Sequence, residues 1–452
     1  MRHVLWLSTL LALSALAAPR TRPKKEAGAL PFPVQVSTLP NGLTVARVPF
    51  ASPGLVAFYT AVRVGSRNEV EEGHTGFAHF FEHMMFRGTK RFPEGARGRL
   101  LGKLGFVENA YTSDDVTVYT VNGPTEALET LVDVEADRFM HLEYAEPAFQ
   151  TEAKAVLGEY HKNAANPGLK IEEAVLGTAF TTHTYRHTTL GFYEDIQAMP
   201  TRYEYSKTFF RRWYTPDNCV LIVVGDFDDA KLMALIEKHY GPWQGKAATV
   251  VVPAEPPQTA ARTASVTWTT PTLPRLGLSW HAPAASTKTT DGAVMQVLGA
   301  YLAGPTSPLY KRLVLEEQLV ERVGPSAELH RDPNLFGVDA RLKDEANRAK
   351  VEAAILEAIA EVAKGRVDAK RVADIKDHLR FALLMELETP AEVANALAWY
   401  TGVLGTVDGL ATLAKQTQAV TPKDLTAFAK KHLTDANRTT LVFTVDVKGG
   451  AK

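Results

Sequence analysis

Two stretches of this chain, which lie 219 positions apart, repeat one another and restrict what it can fold into. FFRRWYTPDN occupies positions 209–218, FAKKHLTDAN occupies positions 428–437, and each precedes a β-branched run that ends in Asp. The predicted strands and helices around both stretches follow the same order. Such a repeat indicates that a whole structural unit was duplicated. We therefore expect an α+β fold with two homologous domains of mixed strand and helix content.

Changes in composition set the boundaries of these domains. A segment rich in Pro, Ala and Thr, VVVPAEPPQTAARTAS, separates two regions with regular strand and helix patterns. We predict an N-terminal domain over residues 34–248, a linker over residues 249–264 and a C-terminal homologous domain over residues 265–448.

The first 33 residues are expected to lie outside both domains. The chain starts MRHVLWLSTLLALSALAAPRTRPKK, with a basic residue, a short apolar run and Ala-Leu-Ala at positions 15–17. This order is typical of a secretory signal peptide over residues 1–17, and the run is too short to be a stable membrane anchor. Residues 18–33 are predicted to be a disordered lead-in. A mitochondrial presequence is the alternative, although the run is apolar all round rather than amphipathic.

Composition excludes two classes of protein. The formal net charge of −1 argues against a nucleic-acid-binding protein, because such proteins usually carry a basic excess. The single cysteine, Cys219, excludes an intrachain disulfide and a thiolate metal cluster. Cys219 lies in the apolar run CVLIVVGDF, which predicts a buried structural thiol.

The stretch AHFFEHMMFRGT, residues 78–89, holds the strongest candidate site. On an α-helix, His79 and His83 lie one turn apart on one face, where two imidazoles can bind one zinc ion. Glu82 lies beside that face and can reach a water in the site. This H-x-x-E-H arrangement occurs in zinc peptidases. On spacing alone, a coincidental match in a helix rich in His and Phe is the alternative.

A catalytic zinc ion needs a third protein ligand, and the helix predicted from Pro147 to about Asn163 offers candidates. Glu152 and Glu159 lie two turns apart at the edge of its apolar stripe. A buried carboxylate needs a partner, and a metal ion is one. Because such a pair is also common on a solvated helix face, spacing alone leaves the question open.

A longer comparison brings in a known family. GHTGFAHFFEHMMFRGTKRF resembles the zinc motif of the pitrilysin (insulinase-like) peptidases, in the branch of mitochondrial processing peptidase and its bacterial heterodimeric relatives. VGSRNE precedes the motif, and ENAYTSDDVTVYTVNGP, TEALETLVDVEADRFMHL, EAKAVLGEY, TLGFYEDI and WYTPDNCVLIVVGDFD follow in the family's order. The resemblance implies two domains whose antiparallel-rich sheets carry helices on one face. Together these domains would form half of a clamshell chamber.

The resemblance also implies the chemistry of the site. It implies a zinc-dependent endopeptidase with one Zn²⁺ per chain, bound by His79, His83 and Glu159. Glu82 would be the general base that activates water, and Glu152 would support a ligand imidazole from behind. The edge-strand segment that pairs with the backbone of a peptide substrate would comprise Asn109, Ala110 and Tyr111.

The second domain departs from the family pattern. At the repeat offset, Leu298, Tyr301 and Leu302 stand where the first domain has its motif residues, so no second metal site is expected. In self-sufficient family members this domain supplies an Arg and a Tyr to the substrate and the oxyanion, but Pro308 and Glu321 occupy those positions here. Loss of one such donor typically costs a factor of about 100 to 1000 in rate.

We therefore expect a heterodimer with a homologous subunit that lacks HxxEH and supplies the missing Arg and Tyr. A homodimer that uses other donors, such as Tyr310, Lys311 or Arg312, is the alternative. The substrates are expected to be peptides or unfolded segments, in a bacterial periplasm or alternatively in mitochondria. A catalytically silent structural or peptide-binding homologue is the competing function, and the complete set of motif residues argues against it.

Overall fold

The structure, a computed structural model, describes residues 29–446. The strands of the first domain are β1 (Gln35–Thr38), β2 (Thr44–Pro49), β3 (Leu55–Val62), β4 (Val107–Thr112), β5 (Thr117–Pro124) and β6 (Cys219–Gly225). Its helices are α1 (Phe77–Met84), α2 (Ala96–Lys103), α3 (Leu128–His141), α4 (Glu146–Ala164), α5 (Pro167–Ala179), α6 (Tyr193–Ala198), α7 (Tyr203–Trp213) and α8 (Asp229–Tyr240).

The second domain is also built from strands and helices. Its strands are β7 (Arg262–Trp268), β8 (Arg275–Ala282), β9 (Val320–Ser326), β10 (Asn334–Leu342) and β11 (Arg438–Val445). Its helices are α9 (Asp291–Ala303), α10 (Pro308–Tyr310, followed by π-helical turns over Lys311–Glu316), α11 (Arg348–Ala363), α12 (Ala369–Glu386), α13 (Pro390–Leu404), α14 (Gly409–Ala419) and α15 (Pro422–His432).

Both domains arrange their strands in the same way. The first sheet has the order β1-β2-β6-β3-β5-β4, and the second has the order β7-β11-β8-β10-β9. In each sheet one parallel pair, β2–β6 or β7–β11, adjoins antiparallel neighbours. Helices α7 and α15 start at residues 203 and 422, the same offset as the sequence repeat. The predicted α+β class with two homologous mixed domains is confirmed.

The second face of each sheet is covered by a helix of the other domain. In β3, Phe58 packs among first-domain helices, whereas Tyr59 packs in a cluster with residues of α13. Gly402 of α13 lies so close to the first sheet that a Cβ there would be 2.4 Å from Val116 Cβ. Conversely, α5 packs against β11, where Leu441 is buried. Burial on both faces explains near-continuous apolar strands such as CVLIVVG in β6.

A buried polar joint also connects the two domains. Asp332 of the second domain accepts a hydrogen bond from Arg67 Nε at 2.6 Å and lies 2.9 Å from His183 Nε2. Beside Asp332, the hydroxyl of Tyr185 donates a hydrogen bond of 2.7 Å to Asp115 Oδ1. Burial would raise the pKa of Asp332, but the hydrogen bonds from His183 and Arg67 outweigh burial and hold that pKa at about 2.

Two predicted boundaries need correction. The predicted disordered lead-in over residues 18–33 ends earlier, because Leu30 is buried and packs in a cluster with residues of α13. The rest of that lead-in and the predicted signal peptide lie outside the described residues. The linker predicted over residues 249–264 ends earlier, because β7 begins at Arg262. Within the linker, Glu255 accepts backbone N–H groups of residues 181–183 and so pins this segment to the first domain.

Candidate metal centre

Helix α1 starts at a buried carboxylate that holds its first turn. Gly76 precedes the helix at φ 89°, and a Cβ there would lie 2.5 Å from Leu190 O, so only glycine fits without strain. Glu69 accepts hydrogen bonds from the backbone N–H groups of Gly76 and Ala78, each at 2.7 Å. Such N–H groups have no partner inside a helix. Burial raises the pKa of Glu69 to about 8.

The motif residues lie where α1 meets α4. The apolar side chains of α1 enter the core of the first domain: Phe77, Phe80, Phe81 and Met84. The rings of His79 and His83 have centroids 4.8 Å apart. Glu159 of α4 brings its Oε2 to 3.6 Å from His79 Nε2 and to 3.5 Å from His83 Nε2. Three groups from two helices therefore converge on one point.

The spacing of these groups and the protonation state of His79 fit a zinc ion. Zinc bonds of about 2.0–2.2 Å place two tetrahedral ligand atoms roughly 3.4 Å apart. The ligand atoms of His79, His83 and Glu159 lie within 4.8 Å of one another, and no other group of three or more His, Cys, Asp or Glu side chains in residues 29–446 does so. Burial lowers the pKa of His79 to about 4, which keeps its imidazole in the unprotonated form that binds metal.

Glu152 supports the site from behind by dividing its two oxygens between two partners. Its Oε1 lies 2.9 Å from His83 Nδ1, and its Oε2 accepts from Arg87 Nε at 2.6 Å and also from Arg87 Nη2. The hydrogen bond to His83 lowers the pKa of Glu152 against the effect of burial, and Arg87 adds to this. An ionised Glu152 accepts the Nδ1–H of His83 and leaves Nε2 free for a metal ion.

Glu82 faces the same cleft and is held by the end of β4. Thr112 Oγ1 donates a hydrogen bond of 2.7 Å to Glu82 Oε2. Burial raises the pKa of Glu82. A carboxylate with a raised pKa is better matched to proton transfer near neutral pH. A cavity of about 560 Å³ opens in front of these groups and is bordered by His79, Glu82, Tyr111, Thr112 and Glu159.

Strand β4 forms the outer edge of the first sheet, next to this cavity. Asn109 is exposed, Ala110 is buried and Tyr111 is half-buried. Arg97 of α2 holds the strand from below through an ion pair with Glu108. A sheet edge without a pairing strand can add an extended peptide through backbone hydrogen bonds. The edge position implied by the family resemblance is therefore present.

The corresponding region of the second domain is occupied by buried apolar side chains. Leu298 and Leu302 are buried in α9 at the positions that match His79 and His83. The guanidinium of Arg371 lies 4.1 Å from the ring centroid of Tyr301. Arg371 matches Glu152 at the repeat offset, so an arginine–tyrosine contact stands where the first domain has its carboxylate support.

The oxyanion donors expected from the family are absent at their usual positions. Pro308 opens α10, and Glu321 in β9 forms an ion pair of 3.0 Å with Arg341. Of the alternative donors, Lys311 and Arg312 are each paired with a nearby carboxylate, whereas the ring of Tyr310 is partly buried against the core of the second domain. Within residues 29–446 this domain therefore presents neither an Arg nor a Tyr at those two positions.

Three residues that contribute to the site were not assigned from sequence. Glu69 lies in VGSRNE, Arg87 lies inside the motif itself, and Thr112 follows the edge-strand segment. Each lies within one of the segments that carry the family resemblance, and that position is the signal in the sequence. The roles of Arg87 and Thr112 depend on partners 65 and 30 residues away along the chain, whereas Glu69 meets the start of α1 only seven and nine residues away.

Two sequence models of one peptidase family match the chain. The model described as Insulinase (Peptidase family M16) matches residues 55–191, which include the whole of α1 and α4. The model described as Peptidase M16 inactive domain matches residues 202–379, where no metal-binding group was found. Fold and sequence matches together define the class of the chain, which is a two-domain protein related to peptidases. The chain belongs to peptidase family M16, and the resemblance stated from its sequence is confirmed.

Named relatives agree with this membership. The zinc protease PqqE of Helicobacter pylori is 28% identical over 414 residues, which cover 89% of this chain and 91% of the relative. The mitochondrial-processing peptidase subunit beta of Lentinula edodes is 31% identical over 216 residues, 46% of this chain and 44% of that subunit. The crystal structure of a protease from Helicobacter pylori superposes with a TM-score of 0.84 at 27% identity, covering 91% of this chain and 99% of that one.

Among the helices of residues 29–446, none combines the length and the apolar character needed to cross a membrane.

Proposed function

We propose that this chain is a zinc-dependent endopeptidase that hydrolyses peptides or unfolded polypeptide segments. The observation that carries the proposal is the convergence of His79, His83 and Glu159 on one point, beside Glu82 and the free edge of β4. Membership of family M16 and the name of the zinc protease PqqE support it.

The residues of the chain account for the activation of water and for the proton transfers of peptide hydrolysis. A zinc ion held by His79, His83 and Glu159 would supply a water of lowered pKa and would polarise the scissile carbonyl. Glu82 accepts a proton from the attacking water as the water oxygen bonds to the carbonyl carbon and the π electrons of the carbonyl move to its oxygen. Glu82 then delivers the proton to the leaving amine as the C–N bond breaks. Thr112 keeps the Glu82 carboxylate oriented during both transfers.

Substrate binding is assigned to the edge of β4. The segment Asn109–Tyr111 pairs with an extended peptide and lays its backbone along the cavity beside Glu82. Because backbone hydrogen bonds supply most of this binding, we expect broad tolerance of side chains in the substrate.

We further infer that the active unit is a heterodimer. Pro308 and Glu321 cannot donate to an oxyanion, Lys311 and Arg312 pair with neighbouring carboxylates, and Tyr310 packs against the core of the second domain. A homologous subunit that lacks HxxEH could supply the missing Arg and Tyr. The relative from Lentinula edodes carries the word subunit in its name, which is consistent with divided roles. The N-terminal sequence supports secretion and hence a periplasmic pool of substrates.

The test is made on the purified chain without its first 17 residues. Zinc is measured by elemental analysis, and cleavage is followed with a mixture of quenched fluorescent peptides. Glu82→Gln is compared with Glu126→Gln, a change of the same kind at an exposed position. We expect one zinc ion per chain in both variants and loss of cleavage only in Glu82→Gln.

The outcomes separate the parts of the proposal. Strong cleavage by the chain alone supports the peptidase and overturns the heterodimer in favour of a homodimer or monomer. Bound zinc with cleavage only after a co-purified homologue is added supports both. Absence of zinc from the wild-type chain overturns the ligand assignment. Peptide binding that never leads to hydrolysis, with or without the homologue, identifies a silent peptide-binding protein instead.

A further inference from the structure

We propose that Arg87 is a positioning residue of the metal centre, which acts through Glu152 on His83 and is itself held by Glu94. This inference rests on the ligand set of the proposed function. Arg87 and Glu94 lie behind Glu152, and the HxxEH motif alone does not indicate that they contribute to the site.

The contacts form a continuous relay. The backbone N–H of Arg87 donates to Met84 O at 2.9 Å, which places Arg87 just beyond the end of α1. Its side chain crosses to α4, where Nε and Nη2 both donate to Glu152 Oε2. Its remaining terminal nitrogen, Nη1, donates to Glu94 Oε1. The relay therefore runs from Glu94 through Arg87 and Glu152 to His83 Nδ1.

The relay decides which way the Glu152 carboxylate faces. Glu152 is 7% exposed, so each of its oxygens needs a donor from the protein. Arg87 occupies Oε2 with two donors, and Oε1 is left to His83. Without Arg87, Oε2 would be buried with no donor, and no group would hold the carboxylate in the rotamer that faces His83. The imidazole would then lose the partner that orients its Nε2.

The charges of the site also point to a role for Arg87. Glu82, Glu152 and Glu159 bring three negative charges to the site, and a zinc ion brings two positive charges. Among the described residues, Arg87 is the only Arg or Lys that forms an ion pair with any of these carboxylates. Its guanidinium therefore offsets the charge of Glu152, whereas the charge of Glu94, whose side chain is 62% exposed, is also screened by solvent. A lysine would supply the charge but not the two-pronged contact.

The test measures zinc affinity, which does not depend on peptidase activity. The dissociation constant of zinc for the full chain is determined by competition with a chromophoric chelator. Arg87→Met is expected to weaken binding by about 10- to 100-fold, and Arg87→Lys by a smaller factor. Arg91→Met is the matched control, because Arg91 lies four residues on and pairs with Asp133 at 2.7 Å, away from the site. Its zinc affinity should equal that of the wild type.

A double-mutant cycle tests the route of the effect. If Arg87 acts through Glu152, Arg87→Met should add little in a Glu152→Gln background. Additive losses would overturn the relay, as would unchanged zinc affinity in Arg87→Met. Should Arg87→Met fail to fold by circular dichroism, Glu94→Gln provides the test, because the Glu94 side chain is 62% exposed and its loss spares the core. Glu94→Gln is then expected to weaken zinc binding by a few-fold, and unchanged affinity would overturn the relay.

Failure of the underlying function gives a different result. A wild-type chain that binds no zinc would overturn the ligand set itself. A wild-type chain that binds zinc, with an Arg87→Met variant that binds it equally well, would overturn the relay alone.

Discussion

Thr112 and Glu82 are joined by a hydrogen bond of 2.7 Å from the threonine hydroxyl to Glu82 Oε2. Thr112 is the last residue of β4, the strand at the edge of the first sheet. The strand that is proposed to pair with the substrate therefore also holds the proposed general base. One element sets the position of Glu82 relative to a bound peptide.

Removal of this hydrogen bond should slow catalysis without weakening binding. Thr112→Val keeps the shape of the side chain and loses the donor. We expect kcat to fall about 10-fold, a part of the 10²- to 10⁴-fold that a general base supplies, while KM and zinc affinity stay unchanged. Thr112→Ser should restore most of kcat. Steady-state kinetics on the active assembly provide the measurement.

The control for this comparison is Thr201→Val. The hydroxyl of Thr201 donates a hydrogen bond to Ala198 O in an exposed turn. This variant should behave as the wild type. Equal losses of kcat in Thr112→Val and Thr201→Val, or failure of the serine variant to recover, would show that Thr112 does not orient Glu82.

The packing of α13 on the first sheet should be sensitive to one methyl group. A Cβ at Gly402 would lie 2.4 Å from Val116 Cβ. Gly→Ala normally favours a helix by about 1 kcal/mol, but overpacking typically costs 1–3 kcal/mol. We expect Gly402→Ala to lower the free energy of unfolding by up to about 2 kcal/mol, because so close an approach lies at the costly end of that range. Urea unfolding of the full chain measures the change.

Gly177→Ala is the matched control, since it lies in α5 with no atom within 4 Å of an added Cβ. This variant should be neutral or slightly stabilised. If Gly402→Ala unfolds at the same urea concentration as Gly177→Ala, the close approach of α13 to the first sheet is contradicted.

The polar joint between the domains should carry a pH signature. The pKa of Asp332 is about 2 in the folded chain and ordinarily 3.8. A carboxyl whose folded pKa is depressed adds stability that is present above its ordinary pKa and is lost as pH falls through the folded value. The difference corresponds to about 2 kcal/mol, present above pH 4 and lost between roughly pH 4 and pH 2.

Asp332→Asn should therefore destabilise the chain by about 2 kcal/mol at pH 7 and at pH 5, and by less at pH 3. Urea unfolding at these three pH values measures the difference from the wild type. Asp435→Asn serves as the control, because that side chain is 89% exposed and forms only a surface pair with Arg438. If the difference in free energy of unfolding between the wild type and Asp332→Asn stays constant or grows at pH 3, the low pKa of Asp332 is contradicted.

Much of the fold could be predicted because its signals are local. The hairpin around Pro40-Asn41-Gly42, the strand Leu55–Val62 and the helix that carries HFFEH all follow from turn residues and apolar periodicity. The repeat predicted two domains of one kind, and the common strand order confirms it. Helix α1 begins at Phe77 and no earlier, since Gly76 lies outside it at positive φ.

The sequence by itself determined which residues could bind zinc, because two histidines at helical spacing share a face wherever the helix is placed. Only the tertiary structure decided that Glu159 meets both imidazoles, that Arg87 holds Glu152 and that Thr112 holds Glu82. These contacts join residues 30 to 80 positions apart, and no local pattern encodes which side chain lies opposite which. Only the tertiary structure also decided that α13 of the second domain covers the first sheet and that α5 of the first domain covers the second sheet. An apolar helix face in the sequence indicates that the helix is buried, but it does not indicate which domain the helix packs against.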